Sequence, residues 1–269
     1  MKRIGTYEPT IERVIELSGI ETLHPGGMAM TRRAGEVAGL APGKQLLDVS
    51  SGRGTQSIYY ARQFGVDVTG VDISEEMVET ASANAARAGV AGRVRFRQAD
   101  SQHLPFDSAT FDAVVNECAV GIPDDSQAVL DEMLRVVRPG GSVVIHESIW
   151  RTPLSSGEKH ELAERYGTTP LEQAEWAEML RRAGAREVRA EAEPWSRPEM
   201  FWKVRSDRDV RRPGAVLTPM EKARTALRIL RRYGVAGVRK AFANERAFYR
   251  AVLDGKLGYS LYWARRPEA

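Results

Sequence analysis

The spacing of apolar and polar positions changes several times along the chain, and each change marks an element. From Gln45 to Asp72 (QLLDVSSGRGTQSIYYARQFGVDVTGVD) a continuous apolar run, Leu46, Leu47 and Val49, reads as a buried strand. It gives way to a small polar turn, Ser50-Ser51-Gly52-Arg53-Gly54. Helical spacing follows at Ile58, Ala61 and Phe64, with Thr55 as a possible cap and Gly65 as a stop. Val66, Val68 and Val71 then begin a second strand that ends in Asp72. This strand–turn–helix–strand order is the half-unit that binds nucleotides at strand ends.

The same two periods continue downstream. Ser74 opens a helix through Val78, Ala81 and Ala85, and Ser74-Glu75-Glu76-Met77 approximates a capping box. Arg93 to Ala99 alternates as a strand with one polar face, and Phe111 to Cys118 is apolar enough to lie centrally. A helix over 124–137, the turn Pro139-Gly140-Gly141, a strand over 142–149, a helix over 171–184 and a strand over 186–192 follow. Upstream, Ile11, Val14 and Ile15 give a short amphipathic helix, His24-Pro25-Gly26-Gly27 breaks it, and 31–40 is a second helix. Strands alternating with helices predict an α/β, doubly wound, mainly parallel sheet. Helical patterns over 219–233 and 235–253 interrupt it before a last strand at 257–264. The expected organisation is a helical cover at 1–43, the sheet domain at 44–194, a basic helical insertion at 195–255 and the completing strand at 256–269.

Composition leaves this picture in place, whereas charge alters it. Net charge is +3, but 195–269 carries 18 Lys and Arg against 7 Asp and Glu, leaving the rest at −8. The basic segment therefore reads either as a solvated or acid-packed face, or as contact with an anionic substrate or surface. No apolar run reaches membrane-spanning length, and MKRIGTYEPT has no signal-like core, so a cytoplasmic location is expected. One cysteine excludes an intrachain disulfide framework, and the four histidines lack metal-ligand spacing; no metal is expected.

Two acids decide between nucleotides. Ser57 stands where a dinucleotide fingerprint needs its third glycine. Asp48, four residues before Gly52, would repel a pyrophosphate and suit an ammonium group. Asp72, 18 residues after Gly54, sits where a ribose-binding carboxylate belongs. A ligand with a ribose, a cationic end and no phosphate is S-adenosylmethionine.

Asp48-Val49-Ser50-Ser51-Gly52-Arg53-Gly54 resembles motif I of the class I S-adenosylmethionine-dependent methyltransferases, and Gly70-Val71-Asp72-Ile73-Ser74 resembles their ribose motif. Ala99 to Phe106, Phe111 to Val115, and Leu134 to Gly141 are similar to the type 11, quinone-biosynthesis-like branch; together these cover roughly 44–147. The resemblance implies a Rossmann-like sheet of seven strands, the last antiparallel beside the fifth. It implies cofactor contacts from Asp48, Ser50, Gly52, Gly54, Asp72, Ile73, Met77, Asp100, Ser101 and Asn116, with Asp100 on the adenine amino group. Tyr7, His24, Trp150 and Trp202 become candidates for the substrate side. The family usually has glycine where Ser50 stands, and a positive φ there would cost serine about 1 kcal/mol or more.

Methyl transfer is an in-line displacement at a sulfonium carbon, and its thioether leaving group needs no acid. A base is needed only for a protonated nucleophile. His146, Glu117 and Glu147, at strand ends, are the candidates; regular strand alternation puts His146 and Glu147 on opposite faces. The leading expectation is methylation of a small-molecule O, N or C nucleophile, anionic or lipid-like. RNA methylation through the basic segment is an alternative that lacks any recognised RNA-binding module, and Asn116-Glu117-Cys118-Ala119 is not a base-methylation tetrapeptide. A non-catalytic interaction protein is a second alternative, opposed by the intact Asp48, Asp72 and Asp100.

Overall fold

The computed structural model describes residues 7–20, 24–205 and 209–268. The apolar run opening the nucleotide half-unit forms β1 (Gln45–Val49), buried from Leu46 onward because parallel strands flank it on both edges. β2 (Asp67–Asp72) pairs with it on one side and β4 (Phe111–Glu117) on the other. β3 (Val94–Gln98) lies outside β2, and β5 (Val137–Trp150) continues from β4, both parallel. The sheet order is β3-β2-β1-β4-β5-β8-β7, where β7 is Arg186–Glu191 and β8 is Leu257–Arg265. β8 is antiparallel to β7. Gly140 and Gly141 exchange backbone bonds with Arg266, while Arg151 bonds to Lys256, so β8 also runs antiparallel to β5. This is the expected seven-strand path with its reversed last strand. One addition, the two-residue β6 (Leu171–Glu172) beside β5, is too short to leave a sequence pattern.

Strand order reverses between β1 and β4, so the carboxyl ends of these two strands bound the crevice where open α/β sheets take ligands. Two units make up the chain. The sheet unit holds Met28–Glu147, Gln173–Ala192 and Ser260–Ala269. Its core is the run Leu46, Leu47, Val114, Val115, Val143 and Ile145, each at most 2% exposed on a nearly all-apolar set of strands. α3 (Thr55–Phe64), α4 (Glu75–Arg87), α5 (Ser126–Val136) and α7 (Gln173–Arg182) belong to it. Thr55 is the first helical residue of α3 and not its cap; Gly54, at φ 76°, holds the cap position without a side-chain bond. Ser74 does cap α4, its Oγ accepting from the Met77 N–H. α2 (Gly27–Val37) starts and ends earlier than the apolar spacing suggests.

The helical unit gathers Met1–Gly27, Ser148–Glu172 and Glu193–Tyr259, so the division does not follow chain order. α1 (Ile11–Ser18) is capped by Thr10, and α6 (Ser156–Tyr166) by a Ser155–Glu158 capping box. α6 left no clear periodic signal because its sequence, SGEKHELAERY, is polar over most of its circumference. α8 (Pro219–Leu253) is the pair of helices predicted from the pattern, joined without a loop at Gly234, whose φ of 67° and ψ of −172° break the helical path. Asn244, buried on α8, donates to the carbonyls of Tyr7 and Pro9 and accepts from Arg165, tying three segments together. Phe201, Phe248, Tyr259 and Tyr166 stack edge-on around that point. Among the described residues no helix is long and apolar enough to cross a membrane.

Candidate functional site

The acids singled out in the sequence come together at the carboxyl ends of the sheet unit's strands. Asp48 on β1 is 2% exposed, and its carboxylate accepts from Ser57 Oγ at 2.5 Å across the first turn of α3. Burial pushes its pKa up from 3.8 to about 7; the Ser57 hydrogen bond opposes this, while Glu117 and Asp72 push further upward. The surroundings of Asp48 are thus both dry and negative, a setting that disfavours a second anion and favours a cation.

Asp72 at the end of β2 holds the turn together. One oxygen accepts from the Gly52 N–H and the other from the Ser74 N–H, each at 2.9 Å. A carboxylate oxygen has a further lone pair, so each retains capacity for a ligand hydroxyl. The turn itself is left-handed at three places, Ser50 (φ 60°), Gly52 (φ 52°) and Gly54 (φ 76°). Ser50 therefore does occupy the conformation that its family usually gives to glycine. Gly54 has a second reason to lack a side chain: a Cβ there would lie 2.5 Å from the Phe96 ring, which also closes on Gly70.

At the end of β3, Asp100 is held by the Gln102 N–H at 2.9 Å, which is the chief cause keeping its pKa below the usual carboxylate value. Its side chain is 40% exposed, with His103 Nδ1 3.8 Å away. Ile73 is 67% exposed although large and apolar, Met77 is half-buried and Ser101 is buried. Asn116, at the end of β4, is fully buried: its Oδ1 accepts from the Ala119 N–H, and its Nδ2 has no hydrogen-bond partner.

The three base candidates separate. Glu117 is half-buried, and both its oxygens accept hydroxyls, Oε1 from Tyr60 at 2.6 Å and Oε2 from Thr31 at 2.9 Å. His146 has no exposed surface and its Nδ1 lies 3.9 Å from the Cys118 sulfur. Glu147, 2% exposed, accepts from the Val120 N–H at 2.7 Å. Ser57, Tyr60 and Thr31 were missed in the sequence. Ser57 and Tyr60 stand three apart on α3, one helical face, and that spacing next to the turn was the available signal.

The substrate-side candidates all lie in the helical unit. Tyr7 lies beneath the Arg165 guanidinium, 4.4 Å from ring centroid to Cζ. His24 Nδ1 meets the Pro25 carbonyl at 3.0 Å. Trp150 is buried beside Leu162, Tyr166 and Phe248, and Trp202 packs edge-on against Tyr249. None of the four lines the unit's apolar cavity, a space of about 340 Å³ walled by Ile11, Ile15, Val216, Ile229, Phe248 and Tyr249. Burial also raises the pKa of the Tyr249 hydroxyl.

Acids at the tips of β1, β2 and β3, a left-handed glycine turn and an exposed aliphatic beside the second acid fit an adenosyl sulfonium; an unpartnered amide at the tip of β4 adds a free donor. A methyltransferase-domain family model matches residues 46–141. An uncharacterized methyltransferase of Bacillus subtilis is 32% identical over 178 residues, 66% of this chain and 75% of that protein. The chain therefore belongs to the class I S-adenosylmethionine-dependent methyltransferases, and its cofactor is S-adenosylmethionine. Two solved structures share the fold at low identity. The [4+2]-cyclase SpnF superposes with TM-score 0.75 at 24% identity, covering 97% of this chain and 98% of that one. A geranyl diphosphate C-methyltransferase from Streptomyces coelicolor, in complex with Mg2+, geranyl diphosphate and S-adenosylhomocysteine, gives 0.67 at 19% identity over 89% and 77%.

Proposed function

We propose that the protein transfers a methyl group from S-adenosylmethionine to a lipophilic small molecule. The observation that carries the cofactor side is the raised pKa and negative surroundings of the buried Asp48, beside an Asp72 whose oxygens are already fixed by backbone N–H groups. The bound group supplies an electrophilic methyl on a sulfonium. The chain's own residues hold and orient it: Asp48 attracts the cationic amino acid end, Asp72 accepts the ribose hydroxyls, and Asp100 with the Ser101 N–H meets the base, whose face rests on Ile73 and Met77. Asn116 Nδ2, buried with no partner, is assigned to the methionine end as a donor.

Glu117 is assigned to this site as the residue that holds Tyr60 and Thr31 in place. Both of its oxygens are engaged by hydroxyl donors, so no base is assigned, and His146 and Glu147 are given structural roles. What supports a lipophilic acceptor is the 340 Å³ cavity of the helical unit with its mostly aliphatic and aromatic walls. The geranyl diphosphate neighbour is consistent with an acceptor that is apolar in body.

Thermal shift with S-adenosylhomocysteine, sinefungin-like analogues and NAD tests the cofactor half: stabilisation by the first two only is expected. Incubation with methyl-labelled cofactor and a panel of terpenoid, quinone and polyketide alcohols, followed by organic extraction, tests the acceptor half. Label in the extract that vanishes with Asp72→Ala supports the reading; label confined to RNA or protein rejects it.

A further inference from the structure

Both halves of α8 carry the same surface stripe. In the first, Met220, Arg224, Leu227 and Arg231 follow at spacings of four, three and four; in the second, Val235, Arg239, Phe242 and Arg246 repeat that order fifteen residues on. At 3.6 residues per turn each set falls within a narrow arc of one helix face. Arg250 and Leu253 extend the second stripe on the same arc. The opposite face is the one that packs: Thr225 and Ile229 are buried in the first half, Gly237, Ala241 and Asn244 in the second.

The stripe is open to solvent and apolar side chains interrupt its charges. Met220 is 63% exposed, Leu227 44%, Val235 67%, Phe242 65% and Leu253 62%. Leu230, beside the first stripe, adds 43%. Among the described residues these are six of the eight large apolar side chains left exposed, so the feature belongs to this helix and not to the surface at large. α8 carries nine Lys and Arg and only two acids. One of those two, Glu221, is occupied by its capping bond and by Arg205. Beside the second stripe runs an open groove of about 570 Å³, walled by Arg239, Arg246 and Arg250, with Arg165 opposite; Glu158 and Glu161 also reach it, bonded to Lys256 and Arg165.

We propose that α8 is a membrane-docking helix that lays this stripe on an anionic lipid surface. Alternating arginine and aliphatic positions on one exposed face is what the boundary between headgroups and acyl chains takes: guanidinium groups meet phosphates, while Leu227, Val235 and Phe242 enter the apolar layer. Duplex or single-stranded RNA would use the same arginines and would leave the exposed Leu227, Leu230 and Val235 without a role, since stacking uses aromatic rings. Gly234, non-helical at φ 67° and ψ −172°, separates the two halves, so each presents its own stripe. Docking of this kind would bring the protein to a lipid-dissolved acceptor, and it stands whether or not the acceptor assignment above is right.

The experiment is flotation of the full chain with vesicles of phosphatidylcholine alone and with about one third phosphatidylglycerol, at low and high salt. Binding is expected only to the anionic vesicles, falling steeply as salt rises. R239Q with R246Q should lower vesicle affinity by more than tenfold, at roughly fivefold per arginine. V235S with F242S should lower it comparably and leave the salt dependence unchanged. All four positions are exposed, and an unchanged melting temperature shows that the variants fold. No flotation with anionic vesicles at low salt overturns the proposal. So does flotation indifferent to both pairs, or a wild-type dimer that V235S with F242S converts to monomer without any vesicle binding. Wild-type protein that floats with anionic vesicles but transfers no label to any lipophilic acceptor would refute the acceptor reading and leave the docking helix standing.

Discussion

Replacing Asp48 with asparagine should make the ligand-free protein more stable at neutral pH and a poorer cofactor binder. The carboxyl pKa is about 7 in the fold against 3.8 in the unfolded chain, with burial as the largest cause. A raised folded-state pKa means that the fold prefers the protonated form. This contribution is most favourable below pH 3.8, declines as pH rises toward 7, and is fully lost above it. That difference corresponds to about 4 kcal/mol that the ionised carboxylate costs the ligand-free protein at pH 8. Asp48→Asn removes that titration, although its amide introduces a buried donor that takes back part of the gain. Urea unfolding at several values between pH 4 and 8 gives the assay. The variant should gain on the wild type steadily between pH 4 and 7 and hold its lead above. A difference that stays flat across that range would refute the reasoning, because it would mean Asp48 ionises normally. The same carboxylate should link cofactor binding to pH: if only the ionised form attracts the cationic end, affinity at pH 6 falls about tenfold below that at pH 8. Calorimetry in buffers of different ionisation heat should detect close to one proton released per ligand at pH 6, and none with Asp48→Asn.

Further outcomes are expected from the turn and its supports. Asp72→Ala leaves the Gly52 and Ser74 N–H groups without their acceptor as well as the ribose, and should weaken S-adenosylhomocysteine binding by at least a hundredfold in calorimetry. Gly54→Ala combines a positive φ with overlap on Phe96 and should cost roughly 2–3 kcal/mol in urea unfolding; adding Phe96→Ala should relieve the overlap and leave only the backbone share. Tyr60→Phe deprives Glu117 of a buried hydroxyl donor and should lower stability by about 1–3 kcal/mol with little change in packing volume. Asn244→Ala removes three bonds from a buried amide, so a loss of about 2–3 kcal/mol should appear in thermal melts, without effect on cofactor affinity.

Why one end of this chain was legible and the other was not follows from where each interaction lies along it. The turn from Ser50 to Gly54, the acids at 48, 72 and 100, and the strand sequence through β5 depend on residues a few positions apart, whose period and charge alone impose the nucleotide-binding half-unit. Even the two helices of α8 were visible, since their break rests on one glycine. Tertiary structure decided what depends on distance along the chain: that Tyr60 and Thr31 close on Glu117, that Ser57 meets Asp48, that Phe96 forbids side chains at Gly54 and Gly70, and that residues 148–172 join the amino-terminal helix and α8. It also fixed the state of the acids. A sequence gives a carboxylate its place on a strand; only the packing around Asp48 removes the water that would have kept it an ordinary acid.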